Sequence, residues 1–572
     1  MISDEIKKIL ASACKRAGFG ITASTLKKPD ISAHGDYSSN IALAVAGIEK
    51  TNPRLIAERI VECISKNGIL SKVEVASAGY INFYLSDEAI YEELGRAEGL
   101  SDKWGAGKSL HGNRMMFEYT DPNPFKAFHV GHLMSNAIGE ALARLAEWQG
   151  AHVIRANYQG DVGLHVGKAI YGMLSAKSGI PAETAALLDK IGWLQECYVF
   201  GAQSYENDPS VKHKIDVLNK TVFDKTDPEV NKMYSLGREW SLANFEEIYR
   251  VLGTKFDYYF FESEVAEKGI TLVDEYKEKG VFVDSEGAVI FDGEPYGLHK
   301  RVFITSNGLP TYEAKDLGLN VTKFEKEPEL QKSVIVTGAE QDEYFKVLFK
   351  AFEFIDKRIS DNTVHVGHGL MLGADKKKVS SRRGGAASGE ELLLDLKVSA
   401  LKKILAGKKE LSENEAEDTA EKIATGAIKY VVLKQNIGKN IVFDEDLALS
   451  FEGDSGPYLQ YTCARINSIL SAAEAVGLEA SIERTKEPPT ELERYLIHFE
   501  NALLLASIKL SPNYVTTYIV ELARLFNSYY ASHHIVDAHK PESAYRLYLA
   551  KIVLLTLKNG LKALGIPTVE RM

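Results

Sequence analysis

The stretch Phe117-Glu118-Tyr119-Thr120-Asp121-Pro122-Asn123-Pro124-Phe125-Lys126-Ala127-Phe128-His129-Val130-Gly131-His132 constrains this chain more than any other. Met115, Met116 and Phe117 form a short apolar run that reads as a strand. Two prolines end it, because proline has no N–H to give to a ladder or a helix interior. From Leu133 the residues Ala137, Ile138, Ala141, Leu142, Leu145 and Trp148 recur three and four apart, the period of a helix. Two histidines therefore sit at a strand-to-helix turn, where unpaired backbone N–H groups and the positive end of the helix dipole favour a phosphate. Gly131 lies between them and, lacking a Cβ, lets a flat ring come close. A zinc pair or a plain helix cap would use the same residues. The spacing lacks the histidine four positions on of the helical zinc motif, and no cysteine cluster lies nearby, so no protein-held metal is expected.

At 572 residues the chain has room for three or four domains. Its net charge of −11 argues against loose nucleic-acid binding, so any such partner must meet local basic patches. The last 72 residues offer one, with eight Lys or Arg against four Asp or Glu. Cys14, Cys63, Cys197 and Cys463 form no CxxC pair and read as reduced thiols in a cytosolic protein. Met1 to Glu5 carry no basic segment ahead of an apolar one, so no signal peptide is expected, and no apolar run is long enough to span a membrane.

Residues 1 to about 110 read as a small α/β unit. Ile2, Ile6, Ile9, Leu10 and Cys14 share a helical face, Gly35-Asp36-Tyr37-Ser38-Ser39-Asn40 precedes an apolar helix, and Val73–Val75 and Tyr80–Leu85 alternate as strands. Gly105, Gly107 and Gly112 mark a linker. From about 113, strands alternate with helices, the pattern of a parallel sheet. Val153–Tyr158 is a second strand, ending near Asn157, Gly160, Asp161 and Gly163, which are either ligand-binding residues or turn formers. Residues 170 to 250 are polar and helical, and strands return at 256–261, 281–283, 288–291 and 302–304. In Thr311-Tyr312-Glu313-Ala314-Lys315-Asp316-Leu317, Tyr312 and Asp316 share a helix face, where they hold a cation or simply meet water. Ser333–Thr337 is a buried strand ending in Gly338-Ala339-Glu340-Gln341. Val364–Leu372 leads to the basic loop Lys376-Lys377-Lys378-Val379-Ser380-Ser381-Arg382-Arg383-Gly384-Gly385, whose cations suit a pyrophosphate leaving group. Beyond about 390 helices dominate, and the final ones interleave Tyr514, Tyr518, Phe526, Tyr529 and Tyr530 with Arg524, His533 and His534. Most of these rings belong to a core, and one or two are expected to face an unpaired base.

Together these pieces resemble the arginyl-tRNA synthetases, class I aminoacyl-tRNA synthetases. His129-Val130-Gly131-His132 is similar to the HIGH motif and Lys378-Val379-Ser380-Ser381-Arg382 to the KMSKS loop. The arginine branch is carried by Glu118 and Asn123, Asn157-Tyr158-x-Gly160-Asp161-x-Gly163, Tyr312-x-x-x-Asp316, Gly338-Ala339-Glu340-Gln341, Gly456-Pro457-Tyr458-Leu459-Gln460-Tyr461, the Arg571-Met572 ending and the early Gly35–Asn40 segment. The resemblance implies a multi-domain α/β protein. A small α/β N-terminal domain (1–110) would touch the tRNA elbow. A Rossmann-like parallel-sheet catalytic domain (113–390) would carry an insertion around 170–255. A helical connecting region (391–455) would lead to an all-α anticodon-binding bundle (456–572).

The resemblance further implies ATP-dependent formation of arginyl-adenylate and its transfer to tRNA(Arg), with tRNA needed even for the first step. His129, Gly131 and His132 would bind ATP, and Lys126, Lys378, Ser380 and Ser381 would steady the pyrophosphate. Glu118, Asn123, Glu262, Tyr312, Asp316 and Gln341 would hold L-arginine. Mg²⁺ would arrive with ATP, with no permanent cofactor, and family habit implies a cytoplasmic monomer. Two departures stand out: Val379 and Ser381 replace the loop's methionine and second lysine, and Lys126, three residues before His129, is placed to supply the missing ammonium. Asn307-Gly308 stands where the family usually has Asp-Gly. Three other readings compete. A class I synthetase for glutamine or glutamate would set a cation opposite the side chain, a small nucleotidyltransferase would be shorter, and a non-catalytic RNA-binding paralogue would have lost His129, His132 or Lys378.

Overall fold

The structure, a computed structural model, describes residues 2–20, 26–29, 31–65, 68–76, 78–373, 388–407, 411–483 and 488–572. The first unit is an antiparallel sheet of β1 (Leu26–Lys27), β2 (Tyr37–Ser39), β3 (Leu70–Val75) and β4 (Ile81–Leu85), in the order β1–β2–β4–β3. Helices Ile2–Arg16, Ile41–Glu49 and Pro53–Glu62 bring Ile6, Leu10, Val45, Ile56 and Ile60 into one core with Ile81, Phe83 and Leu85. The glycine-marked stretch after it is not a free linker. Trp104 is fully buried and its Nε1 donates to Thr556 Oγ1 at 3.1 Å. Gly105 has φ +100°, and a Cβ there would meet Leu503 and Phe499 at 2.5 Å. Glycine marks a close seam against the C-terminal helices here, because the tryptophan beside it must be covered.

The middle of the chain holds five strands: β5 (Arg114–Tyr119), β6 (His152–Gln159) and β7 (Tyr258–Phe261), then, after the antiparallel meander β8 (Val283–Ser285), β9 (Ala288–Phe291) and β10 (Arg301–Ile304), β11 (Lys332–Gly338) and β12 (Thr363–His368). The five pair in parallel in the order β12–β11–β5–β6–β7, and the meander forms a sheet of its own. Side chains alternate between two cores: Phe117, Val334 and Val336 face one, and Met116, Ile154 and Ile335 the other. Chain order reverses between β5 and β11, which makes their carboxyl ends the switch-point crevice where ligands of such sheets bind.

Between β6 and β7 run helices Leu164–Ser175, Leu187–Asn207, Pro209–Asp224 and Pro228–Leu252. Two of them start at Asp-Pro pairs: Asp208 and Asp227 accept the first free N–H groups, and proline at the first helical position has none to leave unpaired. After β12, β13 (Met371–Leu372) pairs in parallel with β14 (Ile441–Val442). Helices Glu413–Leu433, Gly456–Ala475, Asn513–Ser532 and Glu542–Ala563 then build the C-terminal bundle. Helix Val130–Trp148 lies between the sheet and this bundle, so it is buried on nearly every turn.

The N-terminal unit is docked on the bundle. Arg494 bonds Asp36 at 3.0 Å and Asp87 at 3.2 Å, Arg96 bonds Glu500 at 2.6 Å, and Ile497 enters the N-terminal core. Of the C-terminal rings, Tyr518 and Phe526 are buried, whereas Tyr514 and Tyr530 stay open to solvent. Among the described residues no helix is long and apolar enough to cross a membrane.

Candidate functional site

The turn after β5 is held in an unusual backbone shape. Thr120, Asp121 and Phe125 have φ of +80°, +46° and +68°, a region that costs non-glycine residues of order 1–3 kcal/mol each. Surrounding groups fix it: Thr120 N–H donates to Ser135 Oγ at 3.0 Å, Tyr158 N–H to Asp121 at 2.8 Å, and Phe125 N–H to Ser241 Oγ at 2.9 Å. His129 then caps helix Val130–Trp148. The His132 N–H donates to His129 Nδ1 at 3.4 Å and the His129 N–H to His132 Nδ1 at 3.2 Å. The rings stack at 3.5 Å. Both Nδ1 atoms accept, so each neutral ring carries its proton on Nε2 as a donor. Burial, with His129, Lys126 and His368 nearby, holds the His132 ring well below the usual histidine range. A Cβ on Gly131 would sit 3.0 Å from the His129 ring, so the glycine serves the imidazole pair itself.

Beside this turn lies a cluster of carboxylates. Glu118, on β5, is buried against Lys323, 2.5 Å away and itself fully buried. Glu262 opens helix Glu262–Glu278 and is buried against Lys315, whose ammonium also lies 4.8 Å from the centre of the Tyr312 ring. Asp316, one residue on, has no cation at ion-pair distance among the described residues. Its carboxylate accepts from the Tyr344 hydroxyl, and part of its surface is open. Burial pushes its carboxyl up to about 7, the Tyr344 bond pulls it down, and Glu118 and Glu262 add to the rise. Asp121 is raised well above the carboxylate range for the same reason, burial first and Glu118 next. The cluster thus holds more carboxylate than resident cation. Lys126 is drawn down by burial and partly restored by Glu262, and its charge in turn acts on His132.

The sequence-derived candidates divide accordingly. Glu118, Glu262, Asp316 and Lys126 lie within electrostatic reach of one another in one cluster, and His129, Gly131 and His132 form the adjoining turn. Asn123 faces Gly160, where any Cβ would collide with its Oδ1. Tyr312 is 59% exposed at the start of its helix. Gln341 lies exposed on the turn after β11, and its side chain makes no hydrogen bond among the described residues. Lys378, Ser380 and Ser381 lie outside the described residues. The chain re-enters at Ser388, whose backbone bridges His129, and the Gly389 N–H donates to the Phe128 carbonyl at 2.8 Å. Asn157 and Asp161 hold the fold: Asn157 donates to the Tyr119 carbonyl at 3.0 Å, and buried Asp161 accepts from Ser263, Tyr234 and Arg238. Sequence reasoning missed Lys315, Lys323, Tyr344 and His368. Lysines 315 and 323 are eight apart on one helix, a spacing that signals a shared face but not burial. Among the described residues no group of His, Cys, Asp and Glu is arranged to hold a metal ion.

Known proteins match this chain along nearly its whole length. Residues 98–445 match the family model for tRNA synthetases class I (R), catalytic domain; residues 459–572 match the DALR anticodon binding domain, and residues 4–85 the arginyl tRNA synthetase N terminal domain. The chain is 33% identical over 548 residues to an arginine–tRNA ligase of Clostridium botulinum, covering 95% of each chain. It is 33% identical over 549 residues to one of Clostridium beijerinckii, again covering 95% of each. In fold it is similar to the Thermus thermophilus arginyl-tRNA synthetase (TM-score 0.82, 23% identity, all of both chains) and to that of Plasmodium falciparum (TM-score 0.79, 21% identity, 100% and 99% of the two chains).

Proposed function

The chain belongs to the arginyl-tRNA synthetase family, and from that premise we propose how its switch-point crevice carries out the family's reaction. The protein is an arginine–tRNA ligase. It joins L-arginine to ATP as arginyl-adenylate with release of diphosphate, then transfers the arginyl group to the terminal adenosine of tRNA(Arg). The arginine carboxylate attacks the α-phosphorus, and a ribose hydroxyl of the tRNA later attacks the arginyl carbonyl and releases AMP. Neither step needs a protein nucleophile, so catalysis is positioning and charge stabilisation.

His129 and His132 present Nε2–H donors to the phosphates at a helix N-terminus, and Lys126 adds an ammonium there. Lys378, Ser380 and Ser381, by their likeness to the KMSKS loop, steady the pyrophosphate. ATP would be taken up as its Mg²⁺ complex, the ion belonging to the substrate and supplying charge neutralisation at the phosphates. Asp316 receives the guanidinium, with Tyr312 along its edge and Glu262 contributing the oxygen that Lys315 leaves. Asn123 and Gln341 hold the α-amino and carboxylate end, and Glu118 supports that wall. The protein acts as a cytoplasmic monomer.

One observation carries this reading: Asp316 is a carboxylate pushed up to about 7 with no cation at ion-pair distance among the described residues, beside two carboxylates that have one. A planar, permanently charged guanidinium with five donors relieves that imbalance. ATP–pyrophosphate exchange with a panel of amino acids, with and without total tRNA, tests it. Exchange with arginine alone, and only when tRNA is present, is the expected outcome. Exchange driven by another amino acid removes Asp316 from its role as the guanidinium's partner.

A further inference from the structure

Nothing in the sequence singles out His368. It closes β12 and pairs in register with Gly338, the last residue of β11, at the carboxyl end of the sheet. The helix carrying His132 is anchored to the same corner, since Ser135 Oγ donates to the Val336 carbonyl at 2.6 Å. His368 is only 5% exposed and lies within electrostatic reach of His132 and Glu340. Its Nδ1 is 2.8 Å from the Gly369 carbonyl. A carbonyl only accepts, so Nδ1 carries the proton and Nε2 of the neutral ring is left as an acceptor. Among the described residues no hydrogen bond is made at that Nε2. Burial lowers the ring below its ordinary range, which keeps the lone pair available at neutral pH.

The tautomer is the reverse of that at His129 and His132, where Nδ1 accepts and Nε2 donates. The crevice thus offers two imidazole donors and, beside them, one imidazole acceptor. ATP is almost entirely acceptor: its phosphates and ring nitrogens can pair only with donors. Its own donors are the 6-amino group and the ribose hydroxyls. The donors that ATP could bring to that acceptor lie in its nucleoside half.

We propose that His368 is a positioning residue for ATP, accepting through Nε2 a hydrogen bond from a donor on the nucleoside, either the adenine 6-amino group or a ribose hydroxyl. This rests on the reading of the crevice as the ATP site. The bond would fix the nucleoside while His129 and His132 hold the phosphates, which sets the α-phosphorus against the arginine carboxylate.

The test is ATP–pyrophosphate exchange with saturating arginine and tRNA, using ATP, ITP, 2′-deoxy-ATP and 3′-deoxy-ATP. The chain itself is compared with His368→Phe and His368→Gln, because a phenyl ring keeps the bulk without an acceptor and a glutamine oxygen restores one. His368→Phe is expected to raise the ATP KM about tenfold with the arginine KM and the melting temperature unchanged. It is also expected to abolish discrimination against whichever analogue lacks the donor, and His368→Gln to recover part of both. The analogue affected identifies the donor. Equal changes in the ATP and arginine KM, or unchanged discrimination among all four nucleotides in His368→Phe, overturn the proposal. No arginine-dependent exchange by the unaltered chain overturns the underlying reading instead.

Discussion

At the scale of single residues, the proposed function leans most on Asp316. A charge-assisted hydrogen bond contributes about 1.5–3 kcal/mol, so Asp316→Ala should raise the arginine KM roughly tenfold to a hundredfold while leaving the ATP KM near its original value. Steady-state kinetics in each substrate checks this, and equal effects on both would move the pocket elsewhere. The same carboxyl sets a pH dependence. Its folded value is about 7, so it is protonated below that and cannot pair as an anion. The kcat/KM for arginine should therefore fall as pH drops below about 7, by up to tenfold per unit, and Asp316→Asn should remove the inflection. Stability runs the other way. The folded state binds this proton more tightly than the unfolded chain, so ionisation lowers stability as pH rises from near 4 through 7. Asp316→Asn should accordingly raise the melting temperature at pH 8 and do so less at pH 5. A second residue-scale test concerns the fully buried Lys323. Lys323→Met leaves Glu118 charged and alone, which should cost about 3–5 kcal/mol in thermal or denaturant unfolding, and adding Glu118→Gln should return much of it.

At the scale of elements, the histidine turn is a single unit. Its two side chains each cap the other's backbone, and a Cβ on Gly131 would crowd the His129 ring at 3.0 Å. Gly131→Ala should displace the His129 ring and reduce kcat by roughly 100-fold, the cost of one misplaced donor at a site of developing charge, with little change in melting temperature. Single-turnover rates against thermal unfolding separate the two effects. This element is also the most legible in the sequence, because strand, proline break and helical period all point to one turn. Tyr312 and Asp316 are legible as a shared face, but their unequal exposure is not. It follows from Tyr344 packing on Asp316, reaching it across 28 residues, a contact that no local pattern encodes. His368 escapes for a related reason: which ring nitrogen holds the proton depends on the Gly369 carbonyl, not on composition. The meander β8–β10 is readable as strands but not as a separate sheet, since hydrophobic alternation gives direction of burial without naming the partner.

At the scale of the whole molecule, the parallel sheet, its helical insertion and the C-terminal helices follow from periodicity and glycine usage. The docking of the first unit does not, because Gly105, Gly107 and Gly112 look the same in a tether and in a tight seam. Arg494 is the hinge of that docking, reaching Asp36 and Asp87 together. Arg494→Ala should expose the boundary between the first unit and β5 to limited proteolysis and raise the tRNA KM several-fold, with the arginine KM unchanged. The seam has a further consequence for how the molecule is made. Asp36 meets its partner 458 residues later, and the first unit's core is completed by Ile497. At a synthesis rate of about 5–20 residues per second, that surface emerges from the ribosome and waits on the order of half a minute or more for its cover. For that interval the apolar surface that Ile497 later covers stands open at the edge of the first unit.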